Sequence, residues 1–190
     1  AWGGGFNINN GERVNFNGSG KAFLNLDYSN KASKILGTLN GGGNRIYLVN
    51  PSGVLIGAGA NVNANRFAAS TASLDKVLKD FTAKNTPDGS VASFSPVFDR
   101  GSLKGNVINM GTINAGNITL VGNEVRNLAS QNESDINGTR GTFTPKDSNI
   151  NSKVHLIGKK IFLDADGAVN MKNIEVTGFN PLDGVSKPDI

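Results

Sequence analysis

Apolar and polar residues alternate along most of this chain, in units of roughly three to five residues. Ile46 and Leu48 alternate ahead of Asn50, and Val54 and Ile56 alternate after Gly53. The pattern resumes at Ala60 and Val62, then at Phe67 and Ala69. Such alternation marks a strand with one face buried. Gly and Asn stand between the units, and both accept tight corners at little steric cost. Residues 45–71 therefore read as short strands joined by sharp corners. No helix intervenes, so the chain coils instead of folding back in hairpins. The pattern begins near Phe6. It returns over 106–128, marked by Ile108 and Met110, Ile113 and Ala115, Ile118 and Leu120, then Val125 and Leu128. It returns again over 154–178.

Three stretches break it. Leu74, Val77, Leu78 and Phe81 fall on one face of a helix, with Ser73 as N-cap and Asp75 in the first turn. The spacing predicts a short surface helix over 73–81, opening an excursion that runs to about 104. Strands are expected near 91–98, with a turn at Pro87-Asp88-Gly89. Residues 129–153 are polar and read as a loop or hairpin outside the coil. The end, 181–190, reads as the loosely ordered tail of a truncated longer chain.

Short strands, frequent corners and an approximate repeat of about 20–25 residues point to a β-solenoid. One coil cannot bury its inward residues alone; stacking the next coil on it does so. At about 4.8 Å per strand, roughly seven coils would make a rod about 35 Å long. A β-sandwich is the alternative, but it calls for longer alternating strands.

Composition narrows the chemistry. The chain has 25 Gly and 27 Asn in 190 residues, both of them corner residues. It has no cysteine, which excludes thiol catalysis, disulfides and Cys-based zinc sites. A chain crossing an oxidising compartment unfolded would gain by lacking thiols. The net charge of +4 is spread along the chain, with no basic stripe for nucleic acid. No apolar run approaches the roughly 20 residues of a membrane-spanning helix. The opening Ala1-Trp2-Gly3 reads as that of a processed or trimmed chain.

Asn50-Pro51-Ser52-Gly53 fits a type I β-turn, with Asn first, Pro second and Gly fourth. At this tetrapeptide the chain begins to resemble a known family. Trp2 with Phe6-Asn7-Ile8, Val14-Asn15-Phe16, Phe23-Leu24-Asn25, and Ser33, Ile35, Gly37 and Leu39 follow in order. Asn50-Pro51-Ser52-Gly53, Gly59 to Asn63 and Ala69-Ser70-Thr71 complete the series. The order resembles the N-terminal two-partner secretion (TPS) domain of TpsA-type exoproteins, the filamentous haemagglutinin and high-molecular-weight adhesin class of Gram-negative bacteria. The strong likeness covers residues 2–71. Ser52 stands where the family usually has Asn. A second N-P-N-L motif and a strand ahead of the Trp are not found.

The resemblance implies an all-β, right-handed parallel β-helix over residues 1–180, with extra-helical β-hairpins and one short helix. It implies a secretion-targeting and folding-nucleation domain of a large adhesin, secreted or held at the cell surface after periplasmic transit. The implied partner is a TpsB-type outer-membrane β-barrel transporter, through its POTRA domains. Host-cell receptors or glycans would meet the region beyond Ile190. The implied chain is a monomer, no enzyme, and needs no cofactor or metal. Asn50, Pro51, Ser52 and Gly53 are then both a structural corner and candidate transporter contacts.

The competing class is a β-helix that binds or cleaves polysaccharide. Asp164 and Asp166 lie on one side of a strand and could hold Ca²⁺ or act as a glycosidase pair. With Gly167 following, a turn explains them better. Glu133 and Asp135 read as solvated loop charges. His155 is the only histidine, which excludes most metal clusters. Sequons occur at Asn17, Asn117, Asn132 and Asn137, but this composition gives about 3.6 by chance.

Overall fold

The computed structural model describes residues 1–84, 103–128, 141–145, 154–163 and 174–178. Fourteen strands and one helix occur in it. The strands are β1 (Arg13–Asn15), β2 (Ser19–Leu26), β3 (Ser33–Ile35), β4 (Thr38–Asn40), β5 (Gly43–Val49), β6 (Val54–Ile56) and β7 (Asn61–Ser70). After helix α1 (Leu74–Lys84) come β8 (Val107–Asn109), β9 (Thr112–Val121), β10 (Glu124–Asn127), β11 (Thr142–Pro145), β12 (Val154–Gly158), β13 (Lys160–Leu163) and β14 (Ile174–Gly178). Each pairing between them is parallel. This removes the β-sandwich, which is built of antiparallel pairs. The molecule is a parallel β-helix. The sequence pattern places residues 129–153 outside the coil, but β11 within them pairs in parallel with β9 and joins the coil. Residues 129–140 and 146–153, the strands near 91–98, the turn at 87–89 and the tail from 181 lie outside the described residues.

The coil has three faces. The first is the sheet β3-β6-β8-β10-β13. The second stacks β1, β4, the first half of β7, the first half of β9 and β11. The third stacks β2, β5, the second halves of β7 and β9, β12 and β14. That makes six rungs among the described residues. β7 and β9 each turn a corner within one strand. In β7 the inward residues Val62 and Ala64 lie on the second face, and Phe67 and Ala69 on the third. Asn65 and Arg66 between them face away, and this local break in alternation makes the corner.

Inward residues from all three faces fill one continuous core, including Ile35, Leu48, Ile56, Phe67, Ile118 and Leu156. Each such side chain contributes about 1.5–3 kcal/mol when fully buried. A second, smaller core lies outside the third face. Tyr47, Val49, Ala68 and Val121 point away from the coil and are covered by Val77 of α1 and by Leu103, with Leu74 and Phe81 against them. The helix thus roofs one sheet. Burial pushes the Tyr47 phenol pKa up, and the nearby Arg66 and Arg45 only partly oppose this. Leu78 departs from the expected apolar stripe. It is 39% exposed, because Leu74, Val77 and Phe81 already span the width of contact with the sheet.

Over 106–128 the core takes Ile113, Ala115, Ile118, Leu120 and Val125 as expected, but the phase needs correction in β8 and at the end of β10. Register with Val54 and Ile56 turns Val107 and Asn109 inward and leaves Ile108 half-exposed. In β10, Asn127 rather than Leu128 is the buried partner of Val125. A one-residue shift exchanges the two faces of a strand. Here the inward amides satisfy one another. Asn109 donates to Asn127 (2.8 Å), and Asn127 donates to the Gly141 carbonyl (2.7 Å).

The N-terminal end closes with aromatics. Phe6 is buried, while Phe16 and Phe23 are partly buried and touch each other with ring centres 5.0 Å apart. Phe16 follows β1 and Phe23 lies in β2, both on the first rung. Phe6 belongs to residues 2–8, which stack on that rung's outer side through parallel bridges from Trp2 to Asp27 and from Ile8 to Ile35.

Candidate functional site

The tetrapeptide 50–53 lies at the corner between the third and first faces. Register puts Leu26 beside Val49, so the next residues, Asp27 and Asn50, sit one above the other. Both form the same local turn. The Asp27 carboxylate accepts the Ser29 N–H (2.9 Å), and the Asn50 carbonyl oxygen Oδ1 accepts the Ser52 N–H (2.9 Å). A short polar side chain that binds the backbone two residues on is an Asx turn. The Gly53 N–H also returns to the Asn50 carbonyl at 3.0 Å, closing a four-residue β-turn.

The two corners are joined by a buried chain of hydrogen bonds. Asn50 Nδ2 donates to the Lys31 carbonyl (2.7 Å) and to Ser33 Oγ (2.9 Å). Ser33 Oγ donates in turn to Asp27 Oδ2 (2.5 Å). The same oxygen accepts the Phe6 N–H at 2.8 Å. Asp27, Ser33 and Asn50 are all buried. Desolvation of Asp27 pushes its pKa up. The bonds from Phe6, Ser29 and Ser33 outweigh this and hold it below the ordinary carboxylate value. One ionised acid thereby ties the N-terminal segment to the second coil.

The next coil presses on the corner from the other side. A Cβ on Gly105 would lie 2.5 Å from Gly53 N. Gly53 itself has φ +126°, and its own Cβ would meet Asn106 O at 3.1 Å. Val54 N–H donates to that same carbonyl at 3.0 Å. So the corner is enclosed between 27–33 below and 105–106 above. Of the four residues, only Ser52 is exposed; Pro51 is half-buried, and Asn50 and Gly53 are buried.

The sequence pattern gives the turn, and gives Phe6 and Ser33 as motif residues, but it does not link them to the turn and does not single out Asp27. A signal was present. Leu26-Asp27-Tyr28-Ser29 and Val49-Asn50-Pro51-Ser52 share one form, a strand end followed by Asx-x-Ser.

A groove of about 710 Å³ adjoins this corner, lined by Asn7, Asn9, Lys31, Ala32, Lys34 and Leu36. Trp2 lies nearby in sequence and is 41% exposed. Its ring meets Phe6 edge-on at 5.2 Å, and its indole N–H donates to Asn25.

The other candidates are not drawn into a site. His155 is half-buried on β12, beside Thr119 and Glu175 in register. Among the described residues no three His, Cys, Asp or Glu side chains cluster as a metal site would require. Asp164, Asp166, Glu133 and Asp135 lie outside the described residues, as do Asn132 and Asn137. No helix is long and apolar enough to cross a membrane among the described residues.

The TPS secretion domain matches residues 4–187, nearly the whole chain. The chain belongs to the TPS secretion domain family. As a TPS domain it has a secretion-targeting role in two-partner secretion, in an exoprotein exported across the outer membrane with a TpsB transporter. The likeness first seen over residues 2–71 thus extends through the later coils. No curated protein and no solved structure matches the chain.

Proposed function

We propose that this TPS domain is the targeting and folding-nucleation module of a large adhesin, recognised in the periplasm by the POTRA domains of its partner transporter. Family membership over residues 4–187 carries the reading. The fold gives it a physical basis. Each rung pairs its backbone with the previous one, so a formed rung templates the next. The first rung is the costly one, and here Phe6, Phe16 and Phe23 give it apolar surface of its own. The outer core under α1 adds a second layer on the third face. Folding at the exit would bias movement outward without ATP. In this reading the domain is no enzyme, and residues 50–53 act in export through the corner they build.

The test is a passenger fused behind the chain, expressed with and without the partner transporter. The expected result is passenger outside the cell only when the transporter is present. Transporter-independent export, or no export with it, would overturn the reading. Release of reducing sugar from polysaccharide by the purified chain would favour the enzyme class instead.

A further inference from the structure

The sequence holds four Asn-Gly pairs, at 10–11, 17–18, 40–41 and 137–138, the last of them outside the described residues. Such a pair carries a reaction of its own. The glycine amide nitrogen attacks the side-chain carbon Cγ of the Asn before it, because glycine has no Cβ to hinder the approach. The three described pairs share this chemistry. They differ in what holds the nitrogen and the peptide around it.

At 40–41 the nucleophile is occupied. The Gly41 N–H donates to the Asn63 carbonyl at 2.6 Å, and Asn40, in β4, donates from Nδ2 to Asn15 Oδ1 at 3.2 Å. At 17–18 the flanking carbonyls are braced. The buried Asn44 donates from Nδ2 to the Phe16 carbonyl (3.0 Å) and the Gly18 carbonyl (2.9 Å), and its Oδ1 accepts the Lys21 N–H (3.0 Å). Ring closure between residues 17 and 18 turns the peptide that joins them, and so works against this brace. At 10–11 only the ends of the turn are anchored. The Glu12 N–H donates to the Asn9 carbonyl (3.0 Å), and the Thr38 N–H donates to the Glu12 carbonyl (2.9 Å). Gly37 lies so close to both carbonyls that a Cβ there would strike them. Between these anchors Asn10 and Gly11 are exposed, and the space beyond Gly11 is open. Among the described residues neither the Gly11 N–H nor the Asn10 side chain has a hydrogen-bond partner.

We propose that Asn10 is a self-modification site, selected by the fold from among these pairs for deamidation through a cyclic imide. The Gly11 nitrogen bonds to Asn10 Cγ, and Nδ2 leaves as ammonia carrying the Gly11 amide proton. Water then adds to one of the two imide carbonyls and reopens the ring to Asp or to isoaspartate. No enzyme, metal or oxidant takes part. Either product sets a new carboxylate two residues before Glu12. Isoaspartate also adds a carbon to the main chain between Asn9 and Glu12, whose carbonyls are held against Gly37. The modification therefore bears on the join between the N-terminal segment and β1.

The test is peptide mapping by mass spectrometry on the folded 190-residue chain held in mildly alkaline buffer, with isoaspartate separated from Asp. Asn10 should convert first. Asn17 should convert about fivefold or more slowly, since the bonds from Asn44 must open first. Asn40 should be slowest. In urea the three rates should converge, because only the fold distinguishes the pairs. Asn44→Ala should speed conversion at Asn17 and leave Asn10 and Asn40 unchanged. A rise at Asn40 as well reports that this variant has unfolded, and the wild-type order, folded against urea, then decides. Conversion of Asn17 or Asn40 as fast as Asn10 in the folded chain would overturn the proposal. So would an Asn10 that stays intact when folded but converts in urea. The same order of rates in urea would trace the preference to local sequence and overturn selection by the fold.

Discussion

Asn50 donates a hydrogen bond to the hydroxyl of Ser33, 2.9 Å away, and neither side chain reaches solvent. This contact joins two successive corners of the solenoid. It also explains why the position suits Asn rather than any turn-forming residue. One amide supplies an acceptor to its own turn and two donors to the coil below.

Replacing it should therefore cost more than a turn. Asn50→Ala strands the Lys31 carbonyl and weakens the Ser33 bridge. The expected loss is about 2–4 kcal/mol, since each unmet buried group costs about 1–3 kcal/mol. Asn50→Asp keeps the shape but sets a second anion above Asp27, so it should be worse at neutral pH than Asn50→Ala. Urea unfolding checks both, as a lower midpoint with an unchanged slope.

Asp27 makes the same network pH-dependent. Its folded pKa is depressed below the ordinary carboxylate value of about 3.9. The stabilisation is thus fully present above about pH 4 and is lost as pH falls through the lower, folded value. Glu12 shifts in the same direction through its bonds to Asn9, but it is fully exposed and adds little. Stability of the wild type should fall steeply only below about pH 4. In Asp27→Asn that acid limb should flatten, at the cost of lower stability at pH 7. Unfolding midpoints from pH 2 to pH 7 decide; an acid limb unchanged in Asp27→Asn would remove Asp27 as its source.

How much of this was legible follows from what each residue's signal depends on. Inward residues such as Ile46, Leu48, Val54 and Ile56 announce themselves by alternation, a property local to the strand. The turn at 50–53 is equally local. Asn109 and Asn127 gave no such sign. Their inward placement depends on the register with neighbouring rungs and on each finding the other. Asp27 was hidden for the same reason, since its partners Phe6 and Ser33 lie 21 and 6 residues away in the chain. The groove belongs to this second kind. Asn7 and Lys34 become neighbours only once the chain has completed a turn of the coil.

Gly53 should be intolerant for reasons of backbone and space together. Its φ of +126° is a region that residues with a Cβ rarely enter, costing about 1–3 kcal/mol. Gly53→Val adds a branch beside the Asn106 carbonyl. Export with the partner transporter should drop sharply in Gly53→Val, less in Pro51→Ala, and not at all in Lys159→Ala. Secreted protein measured by immunoblot is the readout. Equal secretion of Gly53→Val and wild type would remove the corner from the account of export.

The helix roof offers the cleanest separation of inner from outer core. Val77 and Leu78 are adjacent on α1 and similar in chemistry. Val77 is 3% exposed and packs on the third face; Leu78 is 39% exposed. Val77→Asp sets a charge on the apolar cluster of Tyr47, Val49, Ala68 and Val121, with Arg45 and Arg66 near only the Tyr47 phenol. A cost of about 3 kcal/mol or more is expected locally. The inner core does not include α1, so the coil itself should survive. The expected result is loss of helical signal and gain of binding to a hydrophobic dye, with the β signal retained. Leu78→Asp should match the wild type in all three. If Val77→Asp instead unfolds the whole chain in one step, the roof and the solenoid are one cooperative unit. Folding of the first coils would then require the helix to be in place, and nucleation could not rest on the inner aromatics alone.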